Sequence, residues 1–320
     1  MRLLLLVAAL CGLVATSAVA GAGERPAPRA PEGAAERPAP AAPEAAAEQP
    51  PLAVLHERYG PRPAQTADVH LPPAAARRSG GAPAVLLVHG GGWFAGDKRR
   101  MTPVAAALAA AGFVVVNVNY TLATPERPGF PVQLRDLRRA LAWATAAAPR
   151  LGADPRRIGA LGSSAGGTLA ALLAVDAREP AVGSATAGAR GAALPRGGAA
   201  TGAPRLRAVA TWSAPLDLAT LPPGQLRALA TRFVGCPRLA CRARLAAASP
   251  LRGVTPQTPP TLLVNARREL VPAQQARATA AALAQAGVAH QLLLVPGAAH
   301  GRELAPQALA PTIAFLRARL

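Results

Sequence analysis

One stretch constrains this chain more than any other: residues 158–168, in which a short apolar strand leads straight into Gly-x-Ser-x-Gly and an Ala/Leu-rich helix. A serine on so tight a strand-to-helix turn takes a strained backbone conformation that projects its hydroxyl out of the sheet. We therefore predict that Ser164 is a nucleophile. The N–H of Ala165, at the helix N-terminus, is expected to point toward an anion forming beside it. The alternative is an ordinary glycine-rich loop, because small residues recur throughout the sequence.

A second glycine-rich loop, His-Gly-Gly-Gly-Trp at residues 89–93, follows another predicted apolar strand. Its N–H groups at Gly91 and Gly92 are placed to donate, together with Ala165, to a developing oxyanion. A phosphate-binding loop is the alternative, but the stretch lacks the Lys-Ser/Thr ending and has Asp97 nearby. Both glycine motifs follow predicted strands, at the edge where open α/β sheets bind ligands.

The third candidate is His300, in a Pro-Gly-Ala-Ala-His-Gly stretch just past the last predicted strand. A general base must lie on a loop that brings its imidazole within hydrogen-bond reach of the serine hydroxyl. The other histidines lie in the opening strands, in the glycine loop or at the start of a strand: His56, His70, His89 and His290. By elimination, His300 is the predicted base for Ser164.

Residues 1–20 have the layout of a cleavable secretory signal, with a charged start, an apolar run and an Ala-Val-Ala end. The run is too short to span a bilayer comfortably, so we predict a secreted or periplasmic protein with no stable membrane insertion after cleavage. In that oxidising compartment Cys236 and Cys241 are expected to close a small disulfide loop, with two free thiols as the alternative. No other His or Cys lies nearby, so no metal site is expected there.

The formal charge of +19 comes almost wholly from arginine, because Lys98 is the only lysine. A basic surface can indicate a nucleic acid or an anionic membrane as partner. Here the arginines are scattered and no aromatic-interleaved patch is present. Ala, Gly, Pro and Arg are also raised together, as a GC-rich coding bias produces. We expect no nucleic-acid partner.

Composition divides the rest of the chain. Residues 21–51 are rich in Pro, Ala and Glu, repeat with a period of twelve and are predicted to form a disordered, extended linker. The folded domain is expected over residues 52–320, with one or two antiparallel strands at its start. Residues 179–205 carry no periodicity and are predicted to be a flexible insertion.

Beyond the opening strands, apolar strands and helices alternate. Continuous Val/Leu/Ala runs are typical of parallel strands covered on both faces, so the sequence predicts an α/β fold with a mostly parallel, doubly wound sheet. The predicted strands are residues 84–88, 113–119, 157–161, 207–212, 261–265 and 290–295. The predicted helices are near residues 102–111, 131–147, 165–175, 272–286 and 308–319.

With these motifs, the chain resembles the α/β-hydrolase esterases of the hormone-sensitive-lipase and feruloyl-esterase-like (BD-FAE) type over about residues 55–320. Supporting segments also match, at residues 119–120, 130–136, 248–251 and 270–272. The resemblance implies the α/β-hydrolase fold and hydrolysis of carboxylic esters through an acyl-enzyme, with no cofactor. Little sequence precedes the glycine loop from which to build a cap, so an open cleft for short-acyl or polymer-linked esters is expected.

The chain departs from this family at the acid that orients the histidine. The family's carboxylate stands two residues before a Leu-Val-Pro segment, and here that position is Arg268, which cannot accept the imidazole N–H. Glu269 is the next residue, and the length of its side chain could compensate for its standing one position later than the family's acid. Asp217 follows the preceding strand, after which a triad acid can also lie. Alternatively, Glu269 is a solvated side chain, Asp217 is a helix cap, or the chain has no working acid.

Three functional hypotheses follow. The first is a secreted serine carboxylesterase acting on a small-molecule or polymer-linked ester. The second, motivated by Arg268, is a degenerate, noncatalytic hydrolase domain used for binding. The third is a serine peptidase of the same fold. The sequence predicts no particular oligomeric state.

Overall fold

The computed structural model describes residues 53–74, 80–175, 204–236 and 241–320, and the strands in these ranges form one eight-stranded sheet. The strand order is β1-β2-β4-β3-β5-β6-β7-β8. The strands are β1 (Val54–Arg58), β2 (Thr66–His70), β3 (Ala82–Val88), β4 (Val114–Val118), β5 (Ala153–Ser163), β6 (Val209–Trp212), β7 (Thr261–Ala266) and β8 (His290–Val295).

The sheet is mostly parallel, as predicted. β1 pairs antiparallel with β2, and β2 antiparallel with β4, while all the other pairings are parallel. Successive residues of β3 show why its sequence is a continuous apolar run. Leu86 belongs to the core on one face and Leu87 to the core on the other, and both are fully buried. A strand covered on both faces has few positions for a polar side chain.

Helices cover both faces of the sheet. α2 and α3 pack in the core on the Leu86 side, α1 and α7 on the Leu87 side, and α6 packs over β7. The helices are α1 (Thr102–Ala110), α2 (Val132–Ala147), α3 (Ala165–Val175), α4 (Gln225–Phe233), α5 (Cys241–Ala247), α6 (Ala273–Gln285) and α7 (Ala305–Arg319). None of the helices in the described ranges has both the length and the apolar character needed to cross a membrane.

The structure corrects several details of the sequence-based prediction. α4 and α5 were not predicted, because they are short and bury few side chains, chiefly Phe233 in α4 and Leu245 in α5. β5 begins at Ala153, four residues before the predicted start, because it continues past an irregularity in its pairing with β3. The predicted signal (1–20), linker (21–51) and most of the predicted insertion (179–205) lie outside the described residues.

Candidate active site

The candidate residues follow the C-terminal ends of neighbouring parallel strands. Ser164 comes directly after β5, Glu269 lies in the turn after β7, and His300 lies in the loop after β8. The glycine loop follows β3, which pairs with β5. Because parallel strands end at the same edge of the sheet, residues more than a hundred positions apart in sequence meet here.

Ser164 has the backbone conformation that its sequence predicted. Its φ is +53°, in the left-handed region, and its N–H donates to the carbonyl of Trp212 at 2.7 Å. A non-glycine residue held there stores on the order of 1–3 kcal/mol of strain, which the surrounding structure must impose. The Ser164 Oγ lies 2.9 Å from Nε2 of His300. The serine and histidine that the sequence singled out are therefore in hydrogen-bond contact.

Glu269 is the carboxylate that contacts the histidine. Its Oε2 lies 2.5 Å from Nδ1 of His300, and its side chain is fully buried. Its other oxygen, Oε1, accepts hydrogen bonds from the Ser213 hydroxyl at 2.9 Å and from the Ala266 N–H at 3.0 Å. With Nδ1–H donating to the carboxylate, Nε2 of His300 is left as the acceptor for the Ser164 hydroxyl.

The structure places neither Arg268, which occupies the family's acid position, nor Asp217, the other candidate acid, against the histidine. Arg268 has an exposed side chain, and its backbone N–H donates to the Gly297 carbonyl at 3.1 Å. The Asp217 carboxylate accepts two hydrogen bonds from Arg252, both at 3.1 Å, and caps the short 3-10 helix Leu218–Thr220 through the Ala219 N–H. Asp217 is thus a helix cap, the structural alternative that its sequence position left open.

The glycine loop and the start of α3 approach each other closely. A Cβ at Gly166 would lie 2.3 Å from the carbonyl oxygen of His89, so only glycine permits this approach. Gly91, Gly92 and Ala165 line the same cavity as Ser164. Because Ala165 is the first residue of α3, its N–H has no partner within the helix and is available to a ligand.

His89 holds the glycine loop in shape. Its Nδ1–H donates to the Gly90 carbonyl at 2.8 Å, and its ring stacks on Tyr120 with a centroid distance of 4.4 Å. The Tyr120 hydroxyl donates in turn to the His89 carbonyl at 2.9 Å. Burial lowers the pKa of His89, because the charged imidazolium is poorly solvated in this position. His89 therefore stays neutral near pH 7 and supports the loop without adding charge.

The far end of the glycine loop is anchored by charged and amide side chains. Asp97 accepts hydrogen bonds from the Arg99 N–H at 2.8 Å and from the Asn119 amide at 3.0 Å. Burial acts to raise the pKa of Asp97, but the hydrogen bonds from Arg99 and Asn119 outweigh it and hold that pKa well below its ordinary value. Lys98 forms an ion pair with Asp68 on β2 at 2.7 Å. The loop is thereby tied to the strands beside it.

A cavity of about 290 Å³ opens beside Ser164. Its apolar wall includes Met101, Leu226 and Leu229, and its exposed mouth is lined by Leu270, Arg100, Arg302 and Glu303. Leu226 and Leu229 come from α4, and the predicted disulfide joins Cys236, three residues after α4, to Cys241 at the start of α5. Within the described residues, no group of three or more His, Cys, Asp or Glu side chains is arranged to hold a metal ion.

Sequence comparisons relate this chain to known proteins. The family model BD-FAE matches residues 67–283. Esterase LipQ of Mycobacterium tuberculosis is 29% identical over 204 residues, which cover 61% of this chain and 44% of LipQ. The probable carboxylic ester hydrolase LipM of the same organism is 30% identical over 174 residues, covering 53% of this chain and 37% of LipM. The chain thus spans less than half the length of these two curated relatives.

Solved structures share the fold. A truncated carbohydrate esterase from gut microbiota superimposes with a TM-score of 0.66 at 23% identity, covering 82% of this chain and 94% of that one. Esterase 2 of the planctomycete Thermogutta terrifontis superimposes with a TM-score of 0.62 at 22% identity, covering 82% and 90% of the two chains. These similarities, with the mostly parallel sheet, confirm the predicted α/β-hydrolase fold.

Proposed function

Since the chain belongs to the BD-FAE family, we propose that it hydrolyses carboxylic esters with Ser164 as its nucleophile. The observation that carries the proposal is the hydrogen-bonded series from Ser164 Oγ to His300 Nε2 and from His300 Nδ1 to Glu269. A nucleophile, a base and an orienting acid in this geometry are what acyl transfer requires.

Acylation begins when Ser164 Oγ attacks the ester carbonyl carbon while His300 Nε2 takes the hydroxyl proton. The carbonyl oxygen becomes an oxyanion, which the N–H groups of Gly91, Gly92 and Ala165 stabilise. When the tetrahedral intermediate collapses, the bond between the carbonyl carbon and the alkoxy oxygen breaks. The proton on His300 passes to the leaving alcohol, and the acyl group stays on Ser164.

Deacylation repeats these steps with water as the nucleophile. His300 removes a proton from the water, the hydroxide attacks the acyl carbon, and the bond to Ser164 Oγ breaks as His300 returns the proton to that oxygen. Glu269 accepts the Nδ1–H throughout and stabilises the imidazolium that forms in each half-reaction. The products are the free acid and the free alcohol.

The shape of the cavity favours short acyl groups. A volume of about 290 Å³ lies at the lower end of small-molecule pockets, and the leucines of α4 close one side of it. The cavity mouth is exposed, which suits an ester attached to a larger carrier. Similar proteins support this substrate class: one is a carbohydrate esterase, and the T. terrifontis esterase has been solved with propionate and with butyrate.

Leu229 sets the length of acyl chain that fits. It is half-buried and packs against the glycine loop, with its Cδ1 3.4 Å from where a Cβ on Gly92 would lie. We expect Leu229→Ala to raise the kcat/KM for p-nitrophenyl hexanoate relative to the acetate by about tenfold, since a pocket distinguishes methylene groups by roughly that factor. Leu270→Ala is the matched control, because Leu270 is 53% exposed at the rim. An unchanged ratio in Leu229→Ala, or an equal change in both variants, contradicts this assignment.

A fluorophosphonate probe tests the proposed function directly. It should label the protein on Ser164, and p-nitrophenyl acetate should be hydrolysed at a steady rate that labelling stops. An unlabelled, inactive protein favours the noncatalytic binding domain. Faster cleavage of peptide anilides than of esters favours the peptidase. The exposed position of Arg268 and the contact of Glu269 with His300 support the esterase over the noncatalytic alternative.

We also propose that the protein is exported. The disulfide between Cys236 and Cys241 supports an oxidising compartment, in keeping with the predicted signal. Expressed with its full sequence, the protein should be found outside the cytoplasm with Gly21 as its first residue. A mature protein that retains residues 1–20 in the cytoplasm contradicts this proposal.

A further inference from the structure

Ser213 has an unusual backbone for a residue that no motif singled out. It directly follows β6, is fully buried, and has a φ of +53°. Among the described residues only Trp93 and Ser164 are other non-glycine residues with positive φ, and both belong to the site. The Ser213 N–H donates to the Val264 carbonyl on β7 at 2.8 Å. A left-handed serine persists in a buried position only where the surrounding contacts impose it.

The Ser213 hydroxyl joins two loops of the site. Its oxygen accepts the Gly301 N–H at 2.8 Å, and its hydrogen is donated to Oε1 of Glu269 at 2.9 Å. The direction of both bonds is fixed, because an amide N–H only donates and a carboxylate only accepts. One hydroxyl therefore connects the loop after β7, which carries Glu269, with the loop after β8, which carries His300.

This contact matters because a glutamate has one more rotatable bond than an aspartate. Glu269 reaches His300 through Oε2, so the orientation of its carboxylate depends on the two donors to Oε1, Ser213 and Ala266. Without the Ser213 hydroxyl, one of these donors is lost and the buried N–H of Gly301 loses its acceptor. Gly301 itself has a φ of +61°, and a Cβ there would lie 2.8 Å from Ser163 Oγ, so the loop has little room to adjust.

We propose that Ser213 is a positioning residue that holds Glu269 and His300 in the orientation needed for proton transfer with Ser164. This role rests on the ester hydrolysis proposed above, and it adds to Ser164, His300 and Glu269 a fourth residue that holds the acid in place. Ser213 touches no reacting atom and acts through Glu269 and Gly301.

Two substitutions separate the hydroxyl from the backbone. Ser213→Ala removes the hydroxyl and keeps the cost of a Cβ at positive φ, whereas Ser213→Gly removes both. We expect each to lower kcat for p-nitrophenyl acetate by about 10- to 100-fold, since a buried hydrogen-bond network loses one donor and leaves one N–H unpaired. KM should stay within about twofold, because substrate binding does not involve this hydroxyl.

A double substitution shows whether Ser213 acts through the acid. In a Glu269→Gln background, adding Ser213→Ala should lower kcat by less than about threefold, because residues that act as one unit are not additive. If Ser213→Ala lowers kcat by as much in the Glu269→Gln background as it does in the wild type, the proposal is wrong. Wild-type kcat in both Ser213→Ala and Ser213→Gly also overturns it, as does a loss confined to KM or to Ser213→Ala alone.

Proton NMR provides a readout that does not need turnover. The Nδ1–H of His300, held by Glu269, should give a low-field resonance that shifts upfield or broadens in Ser213→Gly. An unchanged resonance overturns the positioning role, even in a variant of reduced stability. A wild-type protein that shows this resonance and its loss in Ser213→Gly, but does not hydrolyse esters, contradicts the proposed function and leaves the positioning role supported.

Discussion

Replacing Ser164 with alanine should lower kcat for p-nitrophenyl acetate by about six powers of ten, the loss typical of removing the nucleophile of a serine hydrolase. The hydroxyl of Ser164 forms the proposed acyl-enzyme, and without it His300 loses the oxygen that it would deprotonate. In the wild-type protein the Ser164 Oγ lies 2.9 Å from Nε2 of His300, which is already a hydrogen-bond distance. Steady-state rates with burst analysis measure the loss, and fluorophosphonate labelling should vanish with it.

The neighbouring serine provides the matched control. Ser163 is buried, whereas Ser164 is partly exposed, and it stands at the end of β5 with its hydroxyl outside the hydrogen-bonded series with His300. Ser163→Ala should therefore keep both labelling and turnover within about threefold of wild type. If Ser164→Ala were as active as wild type, or if the label moved to Ser163, the assignment of the nucleophile would be wrong.

Replacing Glu269 with glutamine should lower kcat by about four powers of ten while leaving KM nearly unchanged, the effect typical of neutralising a triad acid. Glutamine has the same shape, so the fold is preserved. Its neutral amide no longer fixes the tautomer of His300 or stabilises the imidazolium, and an N–H replaces one of the acceptor oxygens. The measurement is kcat and KM for p-nitrophenyl acetate, with thermal unfolding to confirm that the variant is folded.

Two substitutions test the alternative acids. Arg268→Asp should change turnover by less than about threefold, because the side chain is exposed and Glu269 already contacts the histidine. Asp217→Asn should also retain turnover but lower thermal stability, since Arg252 loses its ion-pair partner. A larger loss of kcat in Asp217→Asn than in Glu269→Gln, or a large gain in Arg268→Asp, would contradict the choice of Glu269.

Much of the fold follows from patterns that are directly visible in the sequence. Strands buried on both faces are mostly apolar, so β3, the second half of β5 and most of β7 could be recognised from their composition. A serine between glycines at a strand-to-helix junction has few possible conformations, which is why the position of Ser164 was predictable. The placement of His300 near Ser164 was also predictable, because its loop comes after the last strand and parallel strands end at the same edge of the sheet.

The acid and its support could not be predicted in the same way. Arg268 and Glu269 are adjacent, yet one side chain is exposed and the other is fully buried, and only the path of the turn after β7 decides which is which. Nothing in the sequence marks Ser213, because its role depends on contacts with residues 56 and 88 positions away. α4 was missed for a related reason: it contributes two leucines to a cavity wall rather than a long apolar stripe to the core.

The order of the strands has a consequence for how the protein responds to heat. β8 is one of the two edge strands of the sheet, hydrogen-bonded to β7 alone, and most of its side chains are only partly covered. Edge strands open before central ones, and the loop that follows β8 holds the general base. Warming should therefore separate the imidazole from its serine while the centre of the sheet is still intact. We therefore expect the loss of activity on warming to follow the opening of β8, so that stabilising the buried centre of the sheet alone should not raise the temperature of inactivation.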